Sequence, residues 1–143
     1  MIIDTSGSVK DKLRYEIETA AEFFREILRP GKDLALIIQF DSEVNLVQDF
    51  TQNQNDLVGA LNSIRAGGDT SLYDAVYLAA EEKLRYEAGR KVMVVISDGE
   101  DTSSLVSREE AIEAAQKSNA LIYGMGVRGR RSRGSFGDLK KFT

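Results

Sequence analysis

The chain predicts a doubly wound α/β fold: a mainly parallel sheet with one antiparallel edge strand and helices on both faces. Three observations predict it. Strand and helix patterns alternate along the sequence. The internal strands are continuous apolar runs, as expected where both faces of a parallel sheet are covered. Only one strand pair is joined by a turn short enough for a hairpin, at "DSE" (41–43). With 143 residues the chain has the size of one domain, taken here as 1–143, and can bury a substantial core.

The first strand is the stub Ile2-Ile3, running straight into Asp4. From Val9 to Leu28 the apolar residues Leu13, Ile17, Ala20, Ala21, Phe24, Ile27 and Leu28 recur at helical spacing, and Pro30-Gly31 ends that helix. "LALIIQF" (34–40) is a buried strand, and the alternating "VNLVQDF" (44–50) pairs with it at the sheet edge. A short helix follows over 55–64, then the loop "RAGGDTS". Residues 72–86 read as a helix with Leu72, Ala75, Val76, Ala79, Ala80 and Leu84 on one face. "KVMVVIS" (91–97) is the most apolar strand and stops at "DGEDTSS". A helix over 107–119 has Ser107 as N-cap and Glu110 in the capping-box position. "ALIYGMGV" (120–127) is a further buried strand, followed by the basic loop "RGRRSRGSFG". The pairs Phe23-Phe24 and Tyr73/Tyr77 read as core or flanking residues of their helices.

Composition removes several function classes. The chain has no Cys and no His, so disulfides, zinc sites built on thiolate or imidazole, Cys nucleophiles and His-based triads are excluded. Any metal must be held by oxygens, which favours hard cations such as Mg²⁺, Mn²⁺ or Ca²⁺. The net charge of −4 is unevenly placed. Residues 128–143 hold six basic side chains and one acid (+5), leaving −9 on the rest. The acidic body favours a cation. The basic tail lacks interleaved aromatics, which argues against a nucleic-acid role. No apolar run reaches the roughly 18 residues of a membrane span.

In open α/β sheets ligands bind beyond the carboxyl ends of the strands, at the point where strand order reverses. Three loops of this chain carry acids and hydroxyls at such places: Asp4-Thr5-Ser6-Gly7-Ser8, Gly67-Gly68-Asp69-Thr70-Ser71 and Ser97-Asp98-Gly99. Residues two apart on an extended segment point the same way, so Asp4, Ser6 and Ser8 are expected to face one point. Together the loops offer two carboxylates (Asp4, Asp98) and three hydroxyls (Ser6, Ser8, Thr70). Neutral hydroxyls leave a divalent cation electrophilic, ready for one more carboxylate from outside. Each loop alone reads as an N-cap or a turn; their combination is what points to a metal.

"DTSGS", "GGDTSLYDA" and "VVISDGED", in that order and spacing, together with the hairpin at 34–50, resemble the von Willebrand factor type A (integrin I-like) domain with its metal-ion-dependent adhesion site. The resemblance implies that Ser6, Ser8 and Thr70 bind a divalent cation directly, Mg²⁺ before Mn²⁺ or Ca²⁺. Asp4 and Asp98 would act mostly through water. A Glu or Asp of a partner protein would fill the last position. It makes Asp74 a helix cap or a support for the ligands, and favours an extracytoplasmic or cell-surface setting. Family domains are usually longer. Three residues of first strand reach about 10 Å, against roughly 17–20 Å for an ordinary strand, and the chain stops at "DLKKFT" where the family continues with a strand and a helix. The expectation is a domain trimmed at both ends, with the edge of "ALIYGMGV" open to pairing with a second copy.

The reading is therefore a metal-dependent protein-binding module and not an enzyme. Aspartic proteases are excluded by Ser6 within "DTSG" and by the α/β pattern. A haloacid-dehalogenase phosphatase needs a second Asp where Ser6 stands, and the three loops hold no Lys or Arg for a phosphate. The alternatives are an accessory domain of an AAA+ ATPase in a chelatase-like remodelling complex, and a structural domain that binds no metal.

Overall fold

The computed structural model describes residues 1–29, 31–97, 101 and 103–126, with Ser8, Val9 and Lys10 described through their backbone alone. Strands β1 (Ile2–Asp4), β2 (Ala35–Phe40), β3 (Val44–Thr51), β4 (Val92–Ser97) and β5 (Leu121–Gly126) form one sheet in the order β3-β2-β1-β4-β5. Only the β2–β3 hairpin is antiparallel; β2–β1, β1–β4 and β4–β5 are parallel. The α/β class, the hairpin and its place at the sheet edge are as expected.

Alternation along the strands builds two cores. Ile2, Leu36, Ile38, Phe40, Met93 and Val95 face α3 (Leu72–Leu78) and α4 (Arg108–Lys117), meeting Leu72, Val76, Ala111 and Ala115. Ile3, Ile37, Val94 and Ile96 point the other way, onto α1 (Leu13–Ile27) and α2 (Gln54–Asn62), meeting Ala20, Phe24, Leu57 and Leu61. Both faces of β1 and β4 are thus covered, which is why those strands read as unbroken apolar runs. Each fully buried Leu, Ile or Phe in these layers contributes roughly 1.5–3 kcal/mol.

Three local expectations are corrected. The helix expected from Val9 begins as a 3₁₀ turn over Gly7–Lys12 and becomes α-helical only at Leu13. The helix expected over 72–86 is α-helical to Leu78, then opens into a π turn (Ala79–Lys83) and closes with a 3₁₀ turn (Leu84–Tyr86). Apolar spacing alone does not separate these helical pitches over a few residues. Strand β5, expected to be buried, pairs among the described residues only with β4, and Leu121 and Tyr123 are 56% exposed. The capping box of α4 is present: Ser107 Oγ accepts from Glu110 N at 3.1 Å, and Glu110 Oε2 accepts from Ser107 N at 2.9 Å.

Candidate functional site

The chain runs from β1 to β2 and β3 on one side, then returns past β1 to β4 and β5 on the other. Strand order therefore reverses between β1 and β4, and the carboxyl ends of those strands carry Asp4 and Ser97. Register explains why the two meet. Ile2 lies opposite Val95 and Ile3 opposite Ile96, so Asp4 and Ser97 are the next pair and project to the same face. Ser97 Oγ donates to Asp4 Oδ2 at 2.8 Å.

Asp4 is fully buried. Its other oxygen, Oδ1, accepts from Ser6 N at 2.9 Å and from Ser6 Oγ at 2.6 Å. Burying a carboxylate is costly unless hydrogen bonds replace its water, and these three donors do so. Ser6 has an extended backbone (φ −62°, ψ 163°), so Asp4 and Ser6 share one side, as expected. Thr5, between them, turns away and bonds Phe40 O of β2 through both its N–H (2.8 Å) and its hydroxyl (3.1 Å). The extension stops there. Ser8 lies inside the 3₁₀ turn, so alternation does not carry through to it; the onset of the helical turn sets its place.

The loop ahead of α3 is laid against this segment. Gly7 N donates to Gly68 O at 2.9 Å and Gly67 N donates to Thr5 O at 2.8 Å. That stitches the buried Thr70 and its neighbours to residues 5–7. The β2–β3 turn grips the same loop from the opposite side. Asp69 N donates to Ser42 Oγ at 2.8 Å, Ser71 N donates to Asp41 O at 2.8 Å, and Ser71 Oγ donates to Ser42 O at 3.2 Å. Gly68 sits at φ +81°, and a Cβ there would lie 2.7 Å from Ser42 Oγ, so this position requires glycine.

A third loop, between β4 and α4, closes on α3. Ser103 N donates to Thr70 O at 3.1 Å, and the hydroxyls of Ser71 and Ser103 lie 2.8 Å apart. Asp74, expected as a helix cap or a support for the ligands, does not cap its own helix. Its carboxylate accepts from Leu105 N at 3.0 Å and from Val106 N at 2.9 Å, across the gap to this loop. The first turn of α3 is satisfied from there in return, by Asp101 and Ser104.

Of the five expected metal ligands, Asp4, Ser6 and Thr70 are thus brought together by β1, its exit and the Gly67-Gly68 loop. Ser8 follows directly through its backbone, and Asp98 lies outside the described residues. Ser42, Ser97, Asp101, Ser103 and Ser104 were not singled out for a role. Only Ser97 carried a readable signal, because the register of parallel neighbours sets it beside Asp4.

The donor set suits a hard cation. Ser6 Oγ gives its proton to Asp4, so it faces any further neighbour as a lone-pair donor, and a carboxylate already stands behind it. Among the described residues no three carboxylates gather as a metal site.

A family model described as von Willebrand factor type A domain matches residues 1–141. No match was found among curated proteins. Solved structures share the fold at low identity. A conserved hypothetical protein, BatB from Bacteroides thetaiotaomicron, superposes with a TM-score of 0.76 at 20% identity, covering 99% of this chain and 82% of that one. Proximal thread matrix protein 1 from the mussel byssus, with a zinc-occupied MIDAS motif, gives 0.75 at 19% identity, covering 99% of this chain and 37% of its own. A von Willebrand factor type A structure from Catenulispora acidiphila gives 0.69 at 18%, covering 89% and 32%. With the reversal point, the antiparallel edge hairpin and the family match in agreement, the chain belongs to the von Willebrand factor type A domain family.

Proposed function

We propose that this domain is a metal-dependent protein-binding module that captures a Glu or Asp side chain of a partner. The family generally mediates protein interactions. The observation that carries the finer reading is the Asp4–Ser6 pair: a buried carboxylate fixed by three hydrogen bonds, with the Ser6 hydroxyl polarised toward it. Ser6, Ser8 and Thr70 would hold a divalent cation directly, with Asp4 and Asp98 acting through water. The cation would supply an electrophilic position for the partner's carboxylate. The rest is work of the chain itself. Ser97 and the Ser6 N–H keep Asp4 oriented, the Gly67-Gly68 loop delivers Thr70, and the buried floor limits water. Mg²⁺ is the expected ion in this reading. The zinc in the mussel protein's motif is a reason to test Zn²⁺ beside it.

Thermal melts with and without millimolar Mg²⁺, Mn²⁺, Ca²⁺ or Zn²⁺ test the metal. An ion at 100 times its Kd should stabilise the native state by about 2.7 kcal/mol, a rise of roughly 5–10 °C in Tm for a domain of this size. Asp4→Ala and Thr70→Ala should abolish the rise. A wild type indifferent to all four ions defeats the reading. The carboxylate is tested by panning a displayed peptide library in Mn²⁺ and eluting with EDTA. Retained peptides should share a Glu or Asp whose amide counterpart is not retained, and retention that survives EDTA counts against it.

A further inference from the structure

We infer that Asp74, Asp101 and Ser104 form a reciprocal clamp that fixes the start of α3 and the Thr70 loop against Asp101 and residues 103–106, and so positions Thr70 in the proposed metal site. The inference rests on the metal-binding reading above. Thr70 lies two residues before α3. Among the described residues no element of regular structure joins the Thr70 loop to the β4–α4 loop; the clamp does.

Its chemistry is an exchange of backbone partners. The first N–H groups of a helix have no partner within the helix. In α3, Tyr73 N donates to Asp101 Oδ1 at 3.1 Å and Asp74 N donates to Ser104 Oγ at 3.0 Å, both from the β4–α4 loop. The described part of that loop lies outside any helix or strand, so its N–H groups too need partners from elsewhere. Leu105 N and Val106 N donate to the carboxylate of Asp74 at 3.0 and 2.9 Å, from α3. Ser104 Oγ then donates its proton to Asp101 Oδ1 at 2.6 Å, tying the two carboxylates' partners into one network. Each loop supplies the acceptors that the other lacks, over a separation of 28–32 residues. Ser103 N on Thr70 O and the Ser71–Ser103 hydroxyl contact continue the seam up to the candidate ligand itself.

A helix cap that only stabilised α3 would need one acceptor on the loop and nothing in return. The return bonds from Asp74 are the part that constrains the loop. Leu105 bears this out: its side chain is 96% exposed, so packing does not hold it, yet its N–H is bonded to both oxygens of Asp74. Partners that orient metal ligands without touching the metal commonly change affinity 10–100-fold when removed.

Two measurements on the full chain test this. In metal-free protein, hydrogen exchange at Leu105 and Val106 should accelerate in Asp101→Ala, although their own acceptor, Asp74, is intact. Titration calorimetry with Mn²⁺ should show affinity falling about 10–100-fold in Asp74→Ala and Asp101→Ala, with Asp101→Asn, which keeps an oxygen for Tyr73 N, closer to wild type. Ser104→Ala, which leaves both carboxylates, is the milder variant if an alanine at either Asp prevents folding. Folded variants that bind Mn²⁺ like wild type overturn the clamp while the metal site stands. A wild type that gives no Mn²⁺ signal overturns the metal site, and the positioning role with it.

Discussion

The floor and the wall of the candidate site are held in different ways. The floor, Asp4 with Ser6 and Ser97, is built on adjacent parallel strands whose side chains lie in both cores. The wall, residues 67–71, 101 and 103–106, lies outside the strands. It is held by bonds between loops far apart in sequence, some from backbone to backbone (Gly7 to Gly68, Gly67 to Thr5, Ser71 to Asp41, Ser103 to Thr70) and some from side chain to backbone (Ser42 to Asp69, Asp101 to Tyr73, Asp74 to Leu105 and Val106). Strand pairing shares its geometry among many bonds, so a single loss there is absorbed. The wall's bonds run singly between loops, outside any ladder. A floor of that kind keeps a carboxylate in place, and a wall of that kind sets how near Thr70 lies to it.

The comparison breaks first under the floor. Ile3 is fully buried in the α1–α2 core, next to Asp4. Ile3→Ala should cost about 2–5 kcal/mol, read as a lower urea midpoint with an unchanged slope. A loss below about 1 kcal/mol, under the usual range for such a truncation, would mean that the floor does not depend on this core. The next largest effect belongs to the wall. Gly68→Ala forces a Cβ onto a residue at φ +81° and toward Ser42 Oγ. It should cost about 1–3 kcal/mol and, unlike Ile3→Ala, should weaken any metal-dependent rise in Tm by more than its own stability loss explains. If the two variants lower the metal response equally, floor and wall are not distinct.

This division also decides what was legible in the sequence. The Asp4–Ser6 part of the floor was, because the two residues lie two apart on extended backbone and so share one side. The limit came at Ser8, where the chain leaves the extended form for a 3₁₀ turn. The wall was not legible. "DTSSLVS" is rich in residues that accept from backbone N–H groups, and nothing local says that Asp101 serves Tyr73 as well as Ser104 of its own turn. The sequence left Asp74 between a helix cap and a support for the ligands for the same reason. An acid in the first turn of a helix ordinarily serves that helix, and only the nearness of the β4–α4 loop redirects it. Periodicity likewise found the helical stretch 72–86 but not its π turn.

A smaller effect separates the wall from the helix behind it. Ser107→Ala removes the N-cap of α4 directly after the clamped residues, and should cost about 1 kcal/mol. The loss should appear as faster exchange in the first turn of α4, with Leu105 and Val106 unchanged. Acceleration at those two amides as well would show that the wall leans on α4.

The smallest expected change lies outside both regions and calibrates the others. Lys83 reaches from the π turn to Asp49 on the edge strand β3, with Nζ 3.2 Å from Oδ2. The Phe50 N–H, first, and Lys83, second, hold the Asp49 carboxyl below the usual Asp range. A folded-state pKa below the unfolded value stabilises the native protein at pH values above the unfolded pKa, about 3.9, and that contribution is lost as pH falls through the folded value. The pair is exposed, so Lys83→Ala should cost only about 0.2–1 kcal/mol at low salt and less at high salt. Most of the acid-side loss should survive in Lys83→Ala, because the Phe50 N–H bond at 2.8 Å remains. A variant that instead loses its acid dependence would put the ion pair ahead of the backbone bond. A Lys83→Ala cost as large as that of Gly68→Ala would remove the reason for treating the wall's bonds as special.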